Sequence, residues 1–184
     1  NNLPGIDKLM KQEQGTLVVW QHLDRMFAGD INPISVLGEK MDRVREHLSL
    51  VFHRYLTGEP GLKKIQIALN QRLVEPADPF LRKKSTQIMD DEIIRIENAE
   101  ICVKPYILPH ISKMTKAEVD AVGGKEGLRR GQGFYVYRNK RLIIWGTWFR
   151  LERKDELNKL ARVRVDIPNS LDYMWSIDIK KSTA

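Results

Sequence analysis

Gly133-Phe-Tyr-Val-Tyr-Arg-Asn-Lys-Arg-Leu-Ile143 decides the fold class. Aromatic and β-branched residues on either side of a polar Arg138-Asn139-Lys140 turn predict two strands, Gly133–Tyr137 and Arg141–Trp145. Downstream, a short helix is expected from about Lys154 to Leu160, then a strand through Arg162–Ile167. The chain closes on a strand-like run beginning at Asp172, in which Trp175, Ile177, Ile179 and Lys181 share one face. Met174, Ser176, Asp178 and Lys180 share the other. A lysine at the end of an apolar row is well placed to leave a sheet, and its ammonium can stabilise charge on a phosphoryl group. The competing reading is an edge strand protected by charge.

Upstream, Glu92–Leu108 reads as two alternating strands joined at Glu97-Asn98. Thr115 to Val122 reads as a short helix, with Thr115 as N-cap and Glu118 three residues on. Gly123-Gly124 is expected to end it and open a flexible loop. Leu62–Pro76 carries a hairpin signal, with Ile65, Ile67 and Leu69 alternating and Asn70-Gln71 as the turn. Gly38–Thr57 has a helical period: Met41, Val44, Leu48, Val51, Phe52 and Tyr55 fall on one face, and Asp42, Arg43, Arg45, Glu46, Ser49 and Arg54 on the other. Gly58, Pro60 and Gly61 stop it. Gly15-Thr-Leu-Val-Val-Trp20 is β-rich and is expected to be the first strand, with residues 1–14 a linker or arm before a single domain over 15–184. The fold class that follows is α/β (α+β): a mostly antiparallel mixed sheet packed by two or three helices.

Composition bounds the possibilities. The 184 residues are enough to bury a real core, and 42% hydrophobic with 30% charged residues is the balance of a globular protein. No apolar run approaches the roughly 20 residues that span a bilayer. A signal peptide is not expected, because the N-terminus lacks a basic region followed by an apolar stretch. Cys102 is the single cysteine, which excludes an internal disulfide and a cysteine zinc cluster. A reduced, cytoplasmic setting is the expectation. Charge is uneven: residues 1–124 hold 17 Lys/Arg against 17 Asp/Glu, whereas 125–184 hold 14 against 7, so the whole +7 lies in the last third. A basic face of this kind can meet nucleic acid, a phosphate-bearing ligand or an acidic partner, or can serve only as a solvated surface.

Arg130-Gly-Gln-Gly-Phe-Tyr-Val-Tyr137 partly matches the longer signature strand of RNA-recognition motifs. On that reading Arg130, Phe134, Tyr135, Tyr137, Arg138, Lys140 and Arg141 would form a nucleic-acid surface, with bases stacked on the aromatic rings. Gln132 stands where one of those aromatics belongs. Gly123-Gly-Lys-Glu-Gly127 lacks the spacing of a phosphate-binding loop. His22, His47, His53 and His110 show no zinc-protease spacing, and no Gly-x-Ser-x-Gly elbow occurs.

Three stretches carry a resemblance to the second, transducer domain of GHKL-type ATPases, the superfamily of DNA gyrase B, MutL and the MORC proteins. Gly15-Thr-Leu-Val-Val-Trp-Gln-His-Leu-Asp-Arg25 resembles the strand by which such chains leave the ATPase domain. His47-Leu-Ser-Leu-Val-Phe-His-Arg-Tyr-Leu56 resembles the helix after it, and Gly133–Ile143 is similar to a hairpin of MutL, with Lys140 where that family has Gly. The resemblance implies a left-handed βαβ crossover, an exception to the usual hand. It also implies a terminal lysine that contacts the nucleotide's γ-phosphate. Lys180 and Lys181 are the candidates in Asp178-Ile-Lys-Lys-Ser182, outside MutL's His-Pro-x-Lys context, and strand parity favours Lys181. It further implies an N-terminal ATPase domain missing from this chain, ATP and Mg2+ as cofactors of the longer protein, no activity of this part alone, and homodimerisation. DNA is a candidate client, since the surplus charge is basic.

Overall fold

A computed structural model of the chain describes residues 4–22, 32–122 and 124–171. The chain divides into two compact units, Asn1–Asp42 and Arg43–Ala184. In the first, helix α1 (Ile6–Met10) follows Gly5, whose φ of 86° suits a residue without Cβ. The expected arm over 1–14 thus contains a helical turn. Gly15–Trp20, the expected first strand, pairs with no strand among the described residues and leaves Val18 and Trp20 exposed. Its β-branched residues favour a pleated, half-buried surface, and such a preference makes a strand only where a partner ladder exists.

Helix α2 (Pro33–Val51) runs through the boundary between the units. It begins five residues before the expected Gly38, because Asn32 and Pro33 start it. The Asn32 Oδ1 accepts from the Ser35 amide at 3.3 Å, and proline at the first helical position gives up only an amide that had no helical acceptor. Phe52 interrupts the helix with φ −105° and ψ 13°, and helix α3 (His53–Thr57) continues it. Gly58, at φ 73°, ends α3 where the sequence placed the stop, its amide donating to the carbonyls of Arg54 and Tyr55.

In the second unit the hairpin of β1 (Ala68–Leu69) and β2 (Arg72–Leu73) turns at Asn70 and Gln71, both with positive φ. The Arg45 guanidinium fastens it to α2 through the carbonyls of Leu69 and Leu73. The main sheet is built from β3 (Gln87–Ile88), β4 (Glu92–Ile96), β5 (Ala99–Ile107), β6 (Gly133–Arg138), β7 (Arg141–Thr147) and β8 (Ala161–Ile167). Their order is β3-β5-β8-β6-β7, with β4 pairing the other end of β5. All pairs are antiparallel except β6 with β8. The expected mixed, mostly antiparallel α+β architecture is therefore present. Its one parallel pair among the described residues is joined through β7 and the 148–160 loop rather than a helix. The helix-bridged crossover implied by the resemblance is thus not formed by any strand pair among the described residues.

Between β5 and β6 lie α4 (Lys116–Ala121) and α5 (Gly124–Arg130). The capping box of α4 forms as its sequence predicts: Thr115 accepts from the Glu118 amide while Glu118 accepts from the Thr115 amide. The loop expected after Gly123 is instead α5, anchored by the buried Leu128. Conversely, 154–160 forms turns rather than a helix. Asp155 caps the Asn158 amide, and the Lys159 carbonyl is taken by the Arg162 guanidinium.

Alternation along the strands gives the sheet two unlike faces. On one, Ile101, Val136, Val165 and Ile167 pack with Leu171 into an apolar cluster. On the other, Tyr106, Tyr135, Tyr137 and Leu142 pack with Phe80, and Leu50 of α2 lies against them. Arg162, Arg164 and Asp166 of β8 share that second face by strand parity, so polar and ionised groups are built into the aromatic side of the core.

Candidate functional site

The aromatic side of the sheet carries a continuous chain of ion pairs. Arg82 binds Asp78 at 2.9 Å and also pairs with Glu59. Glu59 accepts from Arg54 Nε at 2.7 Å, and Arg54 Nη1 reaches Asp166 on β8 at 2.5 Å. Around Asp166 stand Arg164 Nε at 3.1 Å and Lys140 at 3.4 Å. Arg164 also approaches Asp91 at 3.4 Å, and Asp91 holds Lys104 at 3.1 Å. The network thus links the end of α3, the 78–82 segment, the β6–β7 turn, the central strand β8 and the β4–β5 edge.

Burial makes these pairs matter. Arg54 is 4% exposed and Asp166 8%. Burial pushes the Glu59 carboxyl upward, but the Arg54 hydrogen bond and the charges of Arg54 and Arg82 outweigh it, so Glu59 titrates below the usual range. Burial likewise lowers Arg82, and the Asp78 charge and hydrogen bond reverse the sign, leaving it raised. In a medium that resists free charge, removing Asp166 leaves the buried Arg54 and Arg164 short of a partner, whereas the half-exposed Lys140 contributes little to the set.

Beside Arg54, the His53 ring is 1% exposed and its Nε2 lies 2.8 Å from the Tyr137 hydroxyl. Desolvation dominates its titration and lowers its pKa to about 4, so the imidazole is neutral at neutral pH. Its Nδ1 has no hydrogen-bond partner. The Arg54 guanidinium also sits 5.0 Å from the centre of the Tyr137 ring. The hairpin tip is tied to α3 a second time, through the Tyr55 hydroxyl donating to the Asn139 carbonyl. The arrangement is one that fixes α3, the hairpin and β8 as a unit.

The residues singled out as a nucleic-acid surface are divided by this geometry. Tyr135 and Tyr137 are buried; Tyr135 makes an edge contact with Phe80 at 5.4 Å and donates to the Gly131 carbonyl. Phe134 faces the opposite side of the sheet, half-buried between Trp148 and Phe149. Neither tyrosine presents a ring face on which a base could stack. Gln132 is fully buried and saturated: its amide donates to the Arg129 and Asp155 carbonyls and accepts from Trp148 Nε1. Lys140 belongs to the ion-pair network, and Arg141 lies over the Phe52 ring at 5.5 Å. Arg138 ends β6 exposed, and Arg130 stands exposed at the end of α5. Lys180 and Lys181, with the terminal strand that carries them, lie outside the described residues.

Sequence reasoning missed His53 and Arg54 as buried groups. Arg54 was assigned to the solvated face of its helix, and its partner Asp166 is 112 positions away. The available signal was the pattern itself: Leu56 and His53 are three apart, one helical ridge, with Arg54 immediately beside it. No helix among the described residues is long and apolar enough to cross a membrane. Comparison of the chain with protein-family models, curated proteins and solved structures gives no match in any of the three.

Proposed function

We propose that this chain is a transducer module of a GHKL-type ATPase, coupling nucleotide binding and hydrolysis in an adjoining ATP-binding domain to movement elsewhere in the protein. The observation that carries the reading is the position of β8. It is the central strand of the sheet, it is clamped to α3 by Arg54 and Asp166, and the chain that leaves it leads to Lys180 and Lys181. A displacement of that lysine segment by a phosphate would act on the strand to which the rest of the unit is fastened. The β6–β7 hairpin, formed over the residues that resemble the MutL hairpin, supports the same reading.

In this scheme ATP and Mg2+ are held by the adjoining domain, and this chain supplies one contact. The ammonium of Lys181, or of Lys180, offsets charge on the γ-phosphate, an electrostatic role suited to a compact cation on a flexible stem. The test is steady-state ATPase measurement in the polypeptide that includes the ATP-binding domain. Lys181→Met is expected to lower kcat about a hundredfold, with Lys180→Met the milder of the two. Full activity in both variants overturns the assignment.

A further inference from the structure

One edge of the main sheet is left open. β4 pairs with β5 on one side, and on its other side it pairs with no strand among the described residues. Side chains on both of its faces are exposed, Ile93 at 47% and Ile94 at 44%. The two-residue turn at Glu97-Asn98 makes Ile96 and Ala99 a hydrogen-bonded pair. Alternation along the ladder then directs the N–H and C=O groups of Asp91, Ile93 and Arg95 away from β5. Among the described residues, no backbone group takes them.

Proteins commonly blunt such an edge with proline, lysine or a bulge. β4 has no proline or lysine, and its register with β5 is unbroken. A bulge lies only beyond its start. From Ile88 to Glu92 the edge advances four residues while β5 advances three, from Tyr106 to Val103. The regular open edge is therefore the stretch 91–96.

The charges along this stretch suit a second copy of the same strand. Arg95 meets Glu100 across the ladder at 3.0 Å, and Asp91 meets Lys104 at 3.1 Å. The Arg95 side chain is 78% exposed and that of Asp91 44%, so each has room for a further partner. A two-fold axis perpendicular to the sheet lays β4 antiparallel to itself and keeps every side chain on its own face. Directly opposed residues share a face, so an odd-numbered residue can oppose only an odd-numbered one.

Charge then selects the register. An axis at Glu92 or at Arg95 opposes like charges, and one at Ile94 sets Asp91 against Glu97. An axis at Ile93 opposes the two Ile93 side chains and sets Asp91 of each copy against Arg95 of the other. The outward N–H and C=O groups of 91, 93 and 95 meet as hydrogen-bonded pairs in that register. One row across the four strands then runs Lys104, Asp91, Arg95, Glu100, alternating in sign at every step.

We propose that the β4 edge is a self-association surface, through which two copies of the chain join antiparallel about Ile93 into one continuous sheet. A strand of this length makes a small interface, so the dimer is weak, with a Kd on the order of 100 µM. The proposal is independent of the nucleotide coupling above, and neither stands or falls with the other.

Sedimentation equilibrium of the chain, over concentrations that span that Kd, is the test. Ile93→Pro removes an amide that β5 does not use, so it keeps the β4–β5 hairpin while the ladder between copies loses its central bonds. A wild-type dimer that is lost in this variant, with near-ultraviolet circular dichroism unchanged, supports the surface. Should proline disturb the fold, Ile93→Lys takes its place, since it opposes two ammonium groups at the axis. Arg95→Glu sets carboxylates against Asp91 at both ends and is expected to weaken association about tenfold. A wild-type chain that stays monomeric throughout, or one whose association survives Ile93→Lys unchanged, overturns the proposal. Unchanged association in Arg95→Glu overturns the register.

Discussion

His53 is a titratable ring held where a charge has almost no solvation. Its pKa falls from 6.5 to about 4 on folding, chiefly through desolvation, with the charges of Arg82 and Arg54 adding to the loss and Asp78 opposing it. A depressed pKa fixes the sign of the pH dependence. Above pH 6.5 the ring is neutral in both states and its burial contributes fully; as pH falls toward 4 the unfolded chain takes up a proton that the folded one refuses. The wild-type chain is expected to lose up to roughly 3 kcal/mol across that interval from this residue. His53→Phe keeps the ring contacts to Phe80 and Tyr137 but has nothing to titrate. Urea denaturation at a series of pH values is expected to show a clearly shallower decline for the variant between pH 6.5 and 4.5. Equal slopes for the two proteins reject the assignment. The variant also leaves the Tyr137 hydroxyl without its partner, so its stability at neutral pH is lower and the slope is the informative quantity.

At the scale of elements, the β6–β7 turn tests how local chemistry and tertiary contacts divide the work. Asn139 and Lys140 have φ of 47° and 65°, the left-handed pair of a two-residue hairpin turn. Asparagine tolerates this conformation, whereas lysine at the second position bears about 1 kcal/mol of strain. What Lys140 gains is its 3.4 Å approach to Asp166, and with the lysine side chain 42% exposed that pair is worth a few tenths of a kcal/mol. Lys140→Gly is therefore expected to raise the Tm by a few degrees, whereas Lys140→Val lowers it. A lower Tm for the glycine variant would show that the ion pair outweighs the strain. This turn, the Asn70-Gln71 turn and the Thr115/Glu118 capping box were legible because every group involved lies within a few residues. What was illegible depends on distant partners. His53 meets Tyr137 84 positions on, and Arg54 meets Asp166 112 positions on, so a helical period alone placed Arg54 in solvent. Gly15–Trp20 fails in the opposite direction, since its β-rich composition pairs with no strand among the described residues. The 124–130 helix escaped for a third reason. Glycines at 124 and 127 weaken helical propensity, and packing of Leu128 overrides it.

For the 43–184 unit as a whole, the controlling fact is that the last described strand lies at the middle of the sheet. β8 separates β5, with its partners β3 and β4, from the β6–β7 hairpin, and among the described residues nothing else in the ladder joins those two groups. Its pairing with β5 brings Asp166 against Cys102 and Ala161 against Ile107, contacts that close long loops. Loop closure of that length is entropically costly until the strand arrives, so the sheet cannot form in part and then be completed cheaply. Removing β8 also deletes Val165 and Ile167 from the apolar cluster, and strips Arg54 of Asp166 on the opposite face. A chain ending at Leu160 is therefore expected to lack a cooperative urea transition and fixed near-ultraviolet circular dichroism, even though it retains α1 to α5 and the complete β6–β7 and β4–β5 hairpins. A cooperative transition at the wild-type midpoint would refute the central role of β8. The same topology gives the proposed lysine contact its mechanical sense. A strand that holds two halves of a sheet together is the element through which a pull on the following segment reaches both at once. On the proposed reading, loosening β8 by Asp166→Asn is expected to lower the kcat of a polypeptide that includes the ATP-binding domain without touching either lysine, and an unchanged kcat would count against that coupling.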